Sequence, residues 1–151
     1  MERRDSMPER EATKAKMSAA FLDAFNNGNL AALDQICAPD MVDHSTAATP
    51  GQPAGLQGFK QRIAGHRTGM PDLRFTLENI IIEGDLAAFQ WTMGGTNTGP
   101  YLGRPASGNP VTITGMNMER LVNGKIVEHW SYPDKLALMQ QLGAIPMPGR
   151  A

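Results

Sequence analysis

The sequence predicts an α+β fold in which helices cover one face of a bent antiparallel sheet. Apolar residues recur at helical spacing through the first part of the chain and alternate at strand spacing through the second half. Short turn signals separate the alternating stretches, as expected for strands that follow one another in a meander. The predicted order is therefore helices first, then an antiparallel meander, then a closing helix.

The helical part follows a charged arm, predicted to be flexible, over residues 1–9. A first helix is predicted from Arg10 to Asn27, and Gly28 ends it. Its apolar side chains recur four residues apart, at Met17, Phe21 and Phe25. A second, short helix is predicted over residues 29–36. The two helices would form a hairpin that buries one face.

A short strand is predicted over residues 41–45, followed by a loop rich in proline and glycine over 46–55. A third helix is predicted from Leu56 to His66 and a last one from Asp134 to Leu142. Between these two helices, period-two alternation predicts the four strands of the meander, over residues 73–82, 86–96, 111–121 and 125–130.

The turn at Asn123-Gly124 decides which side chains the last two strands share. A two-residue turn would place Glu119 directly opposite Glu128, which is unfavourable for like charges. A three-residue loop over 122–124 pairs residue 117 with residue 129 instead, and the charge argument favours this register. It gives a polar face that is predicted to line a pocket: Gly115, Asn117, Glu119, Val127, His129 and Ser131. The opposite face is predicted to be core or a contact with another subunit: Met116, Met118, Arg120, Ile126, Glu128 and Trp130.

The composition limits the kinds of partner. The chain has 151 residues, the size of one domain, with 14 basic and 15 acidic side chains and a net charge of −1. This balance indicates neither a nucleic acid nor a membrane partner. One cysteine forms no internal disulfide, and the charged N-terminus does not resemble a secretory signal, so a cytoplasmic location is expected. The three histidines lack the spacing of metal ligands, so no metal site is predicted.

Several motifs resemble one known family. They are MVDHS at 41–45, MPDLRFTLENIIIEGD at 70–85, GGTNTGPYLG at 94–103, MERLVNGKIVEHW at 118–130 and QQLGAIP at 140–146. Together they resemble the SnoaL-like polyketide cyclase (ester cyclase) family of the nuclear-transport-factor-like superfamily. The resemblance gives a domain over residues 10–146 and a short tail over 147–151.

The resemblance implies a cone-shaped α+β barrel, in which a strongly curved antiparallel sheet wraps the N-terminal helical hairpin around a deep pocket. Characterised members of the family close an aromatic polyketide ring by an intramolecular aldol step without metal or cofactor. A small hydrophobic molecule is therefore the expected partner. The family forms homo-oligomers, which implies a dimer or a tetramer.

The family's site residues map onto this chain only in part. The histidine of the HW motif is His129, and the acid–base carboxylate two residues later falls on Ser131. An inward polar pair on the preceding strand falls on Gly115 and Asn117. A pocket asparagine on the early strand falls on Asp43, and His44 matches the histidine that follows it.

These positions give a candidate site. His129 and Asp43 are predicted to shuttle a proton, with Asp43 as a general base of raised pKa or as an anionic partner of His129. Asn117 is predicted to polarise a substrate oxygen. Further substrate contacts are predicted at Ser131, Gly115, Trp91 and His44.

Each candidate also has a structural interpretation. A histidine at a strand end is often a satisfied structural residue, and Asp43 can hydrogen-bond its own turn. S-Y-P-D at 131–134 matches a helix capping box with Ser131 as N-cap. Trp91 is either core or pocket wall.

Three functions agree with the sequence. The first is a cofactor-independent acid–base enzyme, cyclase- or isomerase-like, acting on a small hydrophobic carbonyl compound. The second is a non-catalytic domain on the same scaffold that binds small molecules or forms oligomers, because fold alone does not determine function. The third is a hydratase or an epoxide-opening enzyme, in which two polar groups would hold a water molecule.

Overall fold

The chain folds as the predicted α+β class, as described by a computed structural model of residues 6–45 and 50–149. Its elements are α1 (Met7–Asn27), a 3₁₀ helix (Leu30–Gln35), β1 (Cys37–Asp43), α2 (Gly55–Gly69), β2 (Arg74–Glu83), β3 (Leu86–Thr96), β4 (Pro110–Val122), β5 (Lys125–Pro133) and α3 (Lys135–Gln141). The strands form one curved sheet in the order β1-β5-β4-β3-β2. β1 is parallel to β5, and the remaining neighbours form the predicted antiparallel meander.

α1 starts at Met7 and not at the predicted Arg10, because a capping box fixes its first turn. The Ser6 hydroxyl accepts the backbone N–H of Glu9, and the Glu9 carboxylate accepts the backbone N–H of Ser6 at 2.7 Å. The predicted flexible arm over 1–9 is therefore wrong for residues 7–9, while residues 1–5 lie outside the described residues. At the other end, Gly28 takes a φ of 73°, as the predicted stop requires.

β5 continues to Pro133, three residues beyond its predicted end. The ladder pairs Ser131 with Asn117 and Pro133 with Gly115, so these residues are strand and not helix cap. Asp134 caps α3 instead, and its side chain accepts the N–H of Ala137 at 3.0 Å. The predicted N-cap role of Ser131 is wrong, because its backbone belongs to the β4–β5 ladder.

The β4–β5 hairpin combines parts of both predicted registers. Asn123 and Gly124 have φ angles of 50° and 75°, which is a two-residue turn, and Val122 pairs with Lys125. A bulge next to Arg120 then shifts the register by one residue. Arg120 consequently pairs with Glu128 and Glu119 with His129, so the charge conflict is avoided without the three-residue loop. The favoured pairing of 117 with 129 is wrong, although both residues keep their predicted face.

The bulge also moves Ile126 from the predicted outer face into the core, where it is fully buried. The outer face is not core: Met116 is 52% exposed and Tyr132 is 54% exposed. The inner face packs against α1 and α2, with aromatic contacts that join the three layers at Phe21, Phe59 and Phe89. Among the described residues, no helix is both long and apolar enough to span a bilayer.

Candidate functional site

A cavity of about 400 Å³ lies between the helices, the inner face of the sheet and the loop after β3. Its wall is mainly aromatic and aliphatic, with Phe25, Phe59, Phe75, Trp91, Met93, Ile113, Leu138 and Met139. Six polar or charged side chains of the described residues interrupt this wall: Arg62, His66, Tyr101, Asn117, Ser131 and Lys135. An apolar cavity of this size with a few convergent polar groups is typical of a small-molecule site.

Arg62, on α2, is the charged group most deeply set in this wall. Its side chain is only 6% exposed, and Nη1 donates to Asp43 Oδ2 at 2.8 Å. Nη2 lies 3.4 Å from His129 Nε2, and the guanidinium carbon lies 5.2 Å from the ring centre of Phe59. A guanidinium has five N–H donors, so these contacts leave donors for a ligand oxygen. A buried cation facing an apolar cavity favours a polarised or anionic oxygen there.

Asp43 is the counterion of Arg62 and does not contact His129 directly. Its Oδ1 accepts the backbone N–H of Ser45 at 2.9 Å, which agrees with the structural interpretation of this residue. Burial raises the pKa of Asp43, but the hydrogen bonds from Ser45 and the charge of Arg62 outweigh burial and hold the pKa below its ordinary value. The prediction of a general base with a raised pKa is wrong, because the neighbouring cation stabilises the carboxylate.

His129 lies behind the cavity wall and not in it. The ring is 1% exposed, its centre lies 4.7 Å from that of Phe59, and Arg62 covers its Nε2 side. Both Phe59 and Arg62 line the cavity, whereas His129 does not. The prediction that this imidazole faces the cavity is therefore wrong in its geometry. The ring contacts Arg62, which lines the cavity.

Glu119 is one of the site residues that the sequence candidates missed, together with Arg62. Its carboxylate is fully buried and lies 2.7 Å from His129 Nδ1 across the hairpin. Burial raises the pKa of Glu119, although the charge of His129 and hydrogen bonds from His129 and Asn117 act in the opposite direction. Its place on the predicted polar face was a usable signal, but the register favoured from sequence put it opposite residue 127. Asp43, Arg62, His129 and Glu119 thus form one buried chain of charged and polar groups.

Asn117, Ser131 and Trp91 line the cavity, and their role as substrate contacts stays a prediction. The indole N–H of Trp91 donates to Asn117 Oδ1 at 2.8 Å, and the Asn117 amide donates to Glu119 at 3.3 Å. Gly115 does not leave the predicted open room, because the Trp91 ring occupies the space beside it. The role of Gly115 is to admit this ring, and it does not line the cavity.

We expect Gly115→Ala to lower the free energy of unfolding by about 1–3 kcal/mol, because a Cβ there would overlap the Trp91 ring. Urea unfolding followed by tryptophan fluorescence measures the change. Gly65→Ala is the matched control, since it lies within α2 with open space around it and should stabilise the chain by about 0.5–1 kcal/mol. Equal stability of the two variants would contradict the packing assigned to Trp91.

His44 lies on the outside of the sheet, and its prediction as a substrate contact is wrong. Its side chain is 39% exposed, its Nε2 lies 3.1 Å from Glu128 Oε1, and its ring stacks on Trp130 with ring centres 4.8 Å apart. Strand alternation explains the placement, because His44 follows the inward Asp43 and so points to the opposite face.

Comparison with known proteins assigns the family. The model of the SnoaL-like polyketide cyclases matches residues 15–142, most of the chain. The chain belongs to the SnoaL-like polyketide cyclase family. This membership supports a cyclase- or isomerase-like role.

Individual SnoaL-like relatives agree with the assignment. The chain is 27% identical over 125 residues to the nogalonic acid methyl ester cyclase of Streptomyces nogalater, covering 82% of this chain and 92% of the relative. Among solved structures, TsrD from Streptomyces laurentii is 30% identical, with a TM-score of 0.80 over 89% of this chain and 97% of TsrD. IdmH from Streptomyces antibioticus, a proposed polyketide cyclase, is 34% identical, with a TM-score of 0.72 over 87% of this chain and 98% of IdmH.

This SnoaL-like chain carries serine where the family resemblance implies the catalytic carboxylate. Ser131 is 7% exposed, lines the cavity and pairs with Asn117 across the hairpin. Among the described residues, no aspartate or glutamate lines the cavity. The same residues contain no cluster of three or more His, Cys, Asp or Glu side chains suited to a metal ion. The charged groups facing a ligand are therefore cationic, and the carboxylates stand behind them.

Proposed function

We propose that this chain is a cofactor-independent cyclase or isomerase that acts on a small hydrophobic carbonyl compound of the polyketide type. One observation carries the proposal: the buried Arg62 side chain lines a mainly apolar cavity, and its counterion Asp43 does not line it. Charge that develops on a carbonyl oxygen would meet a fixed cation among mainly apolar side chains. Electrostatic stabilisation of this kind is often the largest contribution to catalysis.

The proposed reaction is an intramolecular aldol addition. A carbon between two carbonyl groups loses a proton to water. The resulting enolate then attacks the carbon of another carbonyl group in the same molecule. The oxygen of that carbonyl takes a proton back from water, so the product is an isomer of the substrate. Arg62 stabilises the enolate oxygen, while Asn117 and Ser131 donate hydrogen bonds beside it. In this mechanism the electrostatic stabilisation replaces the missing carboxylate at position 131.

In the proposed mechanism, His129 and Asp43 act through Arg62 and not on the substrate. Asp43 holds Nη1 at 2.8 Å, and His129 lies against Nη2 at 3.4 Å. Glu119 in turn fixes the His129 ring at 2.7 Å. A guanidinium held on two sides loses little freedom when it binds an oxygen, which is the advantage of preorganisation. These three residues are positioning residues in the proposal.

Incubation with nogalonic acid methyl ester tests the proposal, because a relative is named for cyclising this compound. We expect conversion to a product of unchanged mass and altered retention in liquid chromatography with mass spectrometry. Heat-inactivated protein is the control for spontaneous cyclisation. Saturable binding without conversion would favour the non-catalytic ligand-binding domain, and incorporation of water, seen as a gain of about 18 mass units, would favour the hydratase.

We also propose that the chain forms a homo-oligomer through the outer face of the sheet. The exposed Met116 and Tyr132 support this, because large apolar side chains on an open sheet face are suited to an interface. Light scattering coupled to gel filtration should give a mass of two or four chains, whereas a single-chain mass would contradict the proposal. Met116→Lys should dissociate the oligomer.

A further inference from the structure

A second polar pair, His66 and Tyr101, faces the same cavity and takes no part in the buried chain around Arg62. His66 Nδ1 lies 2.6 Å from the Tyr101 hydroxyl. The Tyr101 ring is 5% exposed and packs against Gly69, where any side chain would overlap it. The His66 ring stacks on Phe25, with an interplanar angle of 18°. Both rings are therefore held on more than one side, although Tyr101 comes from a loop.

The partners of the hydroxyl indicate the direction of this hydrogen bond. The Tyr101 hydroxyl has one proton to donate, and within residues 6–45 and 50–149 its only hydrogen-bond partner is His66 Nδ1. If Nδ1–H donated to the hydroxyl, the phenol proton would have no acceptor within residues 6–45 and 50–149, whereas donation by Tyr101 gives that proton an acceptor. Tyr101 therefore donates to Nδ1, and a neutral His66 carries its own proton on Nε2.

We propose that His66 is a second oxygen-binding residue of the site, which donates its Nε2–H to a carbonyl or enolate oxygen beside the one held by Arg62. Tyr101 is the positioning residue that selects this tautomer. This inference rests on the proposed function. It differs from a base role for His66, because the ring nitrogen that is not bonded to Tyr101 would carry a proton and have no free lone pair.

The helix supports this arrangement, since Arg62 and His66 are four residues apart on α2 and both line the cavity. Side chains at this spacing lie on one face of a helix with Cβ atoms about 5–6 Å apart. Two donors in a row suit a substrate with two oxygens along one edge, as in an enolised 1,3-dicarbonyl compound. Burial and the charge of Arg62 lower the pKa of His66 to about 4, so the ring is neutral near pH 7.

Nitrogen NMR of histidine-labelled protein at pH 7 tests the tautomer directly and needs no substrate. We expect His66 to show a protonated Nε2 and an unprotonated, hydrogen-bonded Nδ1. In Tyr101→Phe the hydrogen bond to Nδ1 is lost, so the Nδ1 signal should move and the other tautomer should become populated. A spectrum of the original protein with the proton on Nδ1, or with both nitrogens protonated, overturns the proposal.

Binding of 2-naphthoate, a flat apolar acid, tests the donor. We expect His66→Phe to weaken its Kd about 10- to 100-fold, because the hydrogen bond to a charged oxygen is lost. His66→Gln should recover part of the affinity, since its amide N–H can reach the position of Nε2–H. The matched control is His44→Phe on the outer face of the sheet, for which we expect no change in Kd.

An unchanged Kd in His66→Phe, or no saturable binding of 2-naphthoate to the original protein, overturns the proposal. Neither readout depends on turnover. A failure to cyclise nogalonic acid methyl ester, with the expected tautomer and Kd values intact, therefore refutes the proposed reaction alone. If the reaction occurs, we expect Tyr101→Phe to lower kcat about tenfold while the enolate oxygen still binds Arg62.

Discussion

Arg62→Met should lower the free energy of unfolding by about 3–5 kcal/mol and reduce turnover by about 10²–10³-fold. The loss of stability follows from Asp43, whose carboxylate side chain is only 6% exposed and would lose its cation. The loss of turnover follows from the substrate oxygen, which would lose the one buried charge facing it. Urea unfolding at pH 7 measures the first effect, and steady-state kinetics with a converted substrate measures the second.

The double variant Asp43→Asn/Arg62→Met separates the two effects. It contains no unpaired buried charge, so we expect it to regain most of the lost stability. It still lacks the guanidinium, so turnover should remain as low as in Arg62→Met. Recovery of turnover in the double variant would show that the single variant failed through misfolding, and it would remove Arg62 from the mechanism.

His129→Leu should lower the free energy of unfolding by about 3 kcal/mol at pH 7, because Glu119 is left without its partner at full burial. The effect should depend on pH. Burial raises the pKa of Glu119 above its ordinary value of 4.5. Because the pKa is raised in the folded state, the contribution of Glu119 to stability is fully present at pH values below its ordinary pKa. That contribution is lost as the pH rises through the pKa of the folded state. The contribution of Glu119 to the stability of this variant should therefore be more favourable at pH 5 than at pH 8.

The control for this prediction is Glu119→Leu/His129→Leu, which removes both members of the buried pair. We expect the double variant to be more stable than His129→Leu at pH 8, with the difference shrinking towards pH 5. Both variants lack His129, so every other histidine titrates equally in the two proteins. A difference that stays constant between pH 5 and pH 8 would contradict an unpaired, titrating Glu119 in the single variant.

Most of the fold could be predicted because it depends on local patterns. Period-two alternation located the four strands of the meander, and spacing by four residues located the helix that contains Phe21 and Phe25. The bulge beside Arg120 could not be predicted in the same way. Asn123-Gly124 correctly indicated a two-residue turn. The bulge adds one residue that separates Glu119 from Glu128, and no sequence pattern identifies its position.

The site was harder to predict because it depends on contacts between distant elements. Strand parity correctly gave Asn117 and Ser131 as cavity residues. It could not show that α2 inserts Arg62 between His129 and the cavity, because that requires the packing of a helix on the sheet. The sequence does not single out Arg62, since a single arginine on a predicted helix is usually exposed to solvent. Its depth in the fold is explained by Asp43, which lies 19 residues earlier.

A structure of the protein with nogalonic acid methyl ester or its product bound would show whether Arg62 holds an oxygen of the ligand. We expect a carbonyl or hydroxyl oxygen of the ligand about 2.7–3.2 Å from a guanidinium nitrogen of Arg62. The His129 ring should remain behind Arg62 without touching the ligand. A ligand that turns its hydrocarbon edge to Arg62 and contacts His129 instead would contradict the role proposed for Arg62.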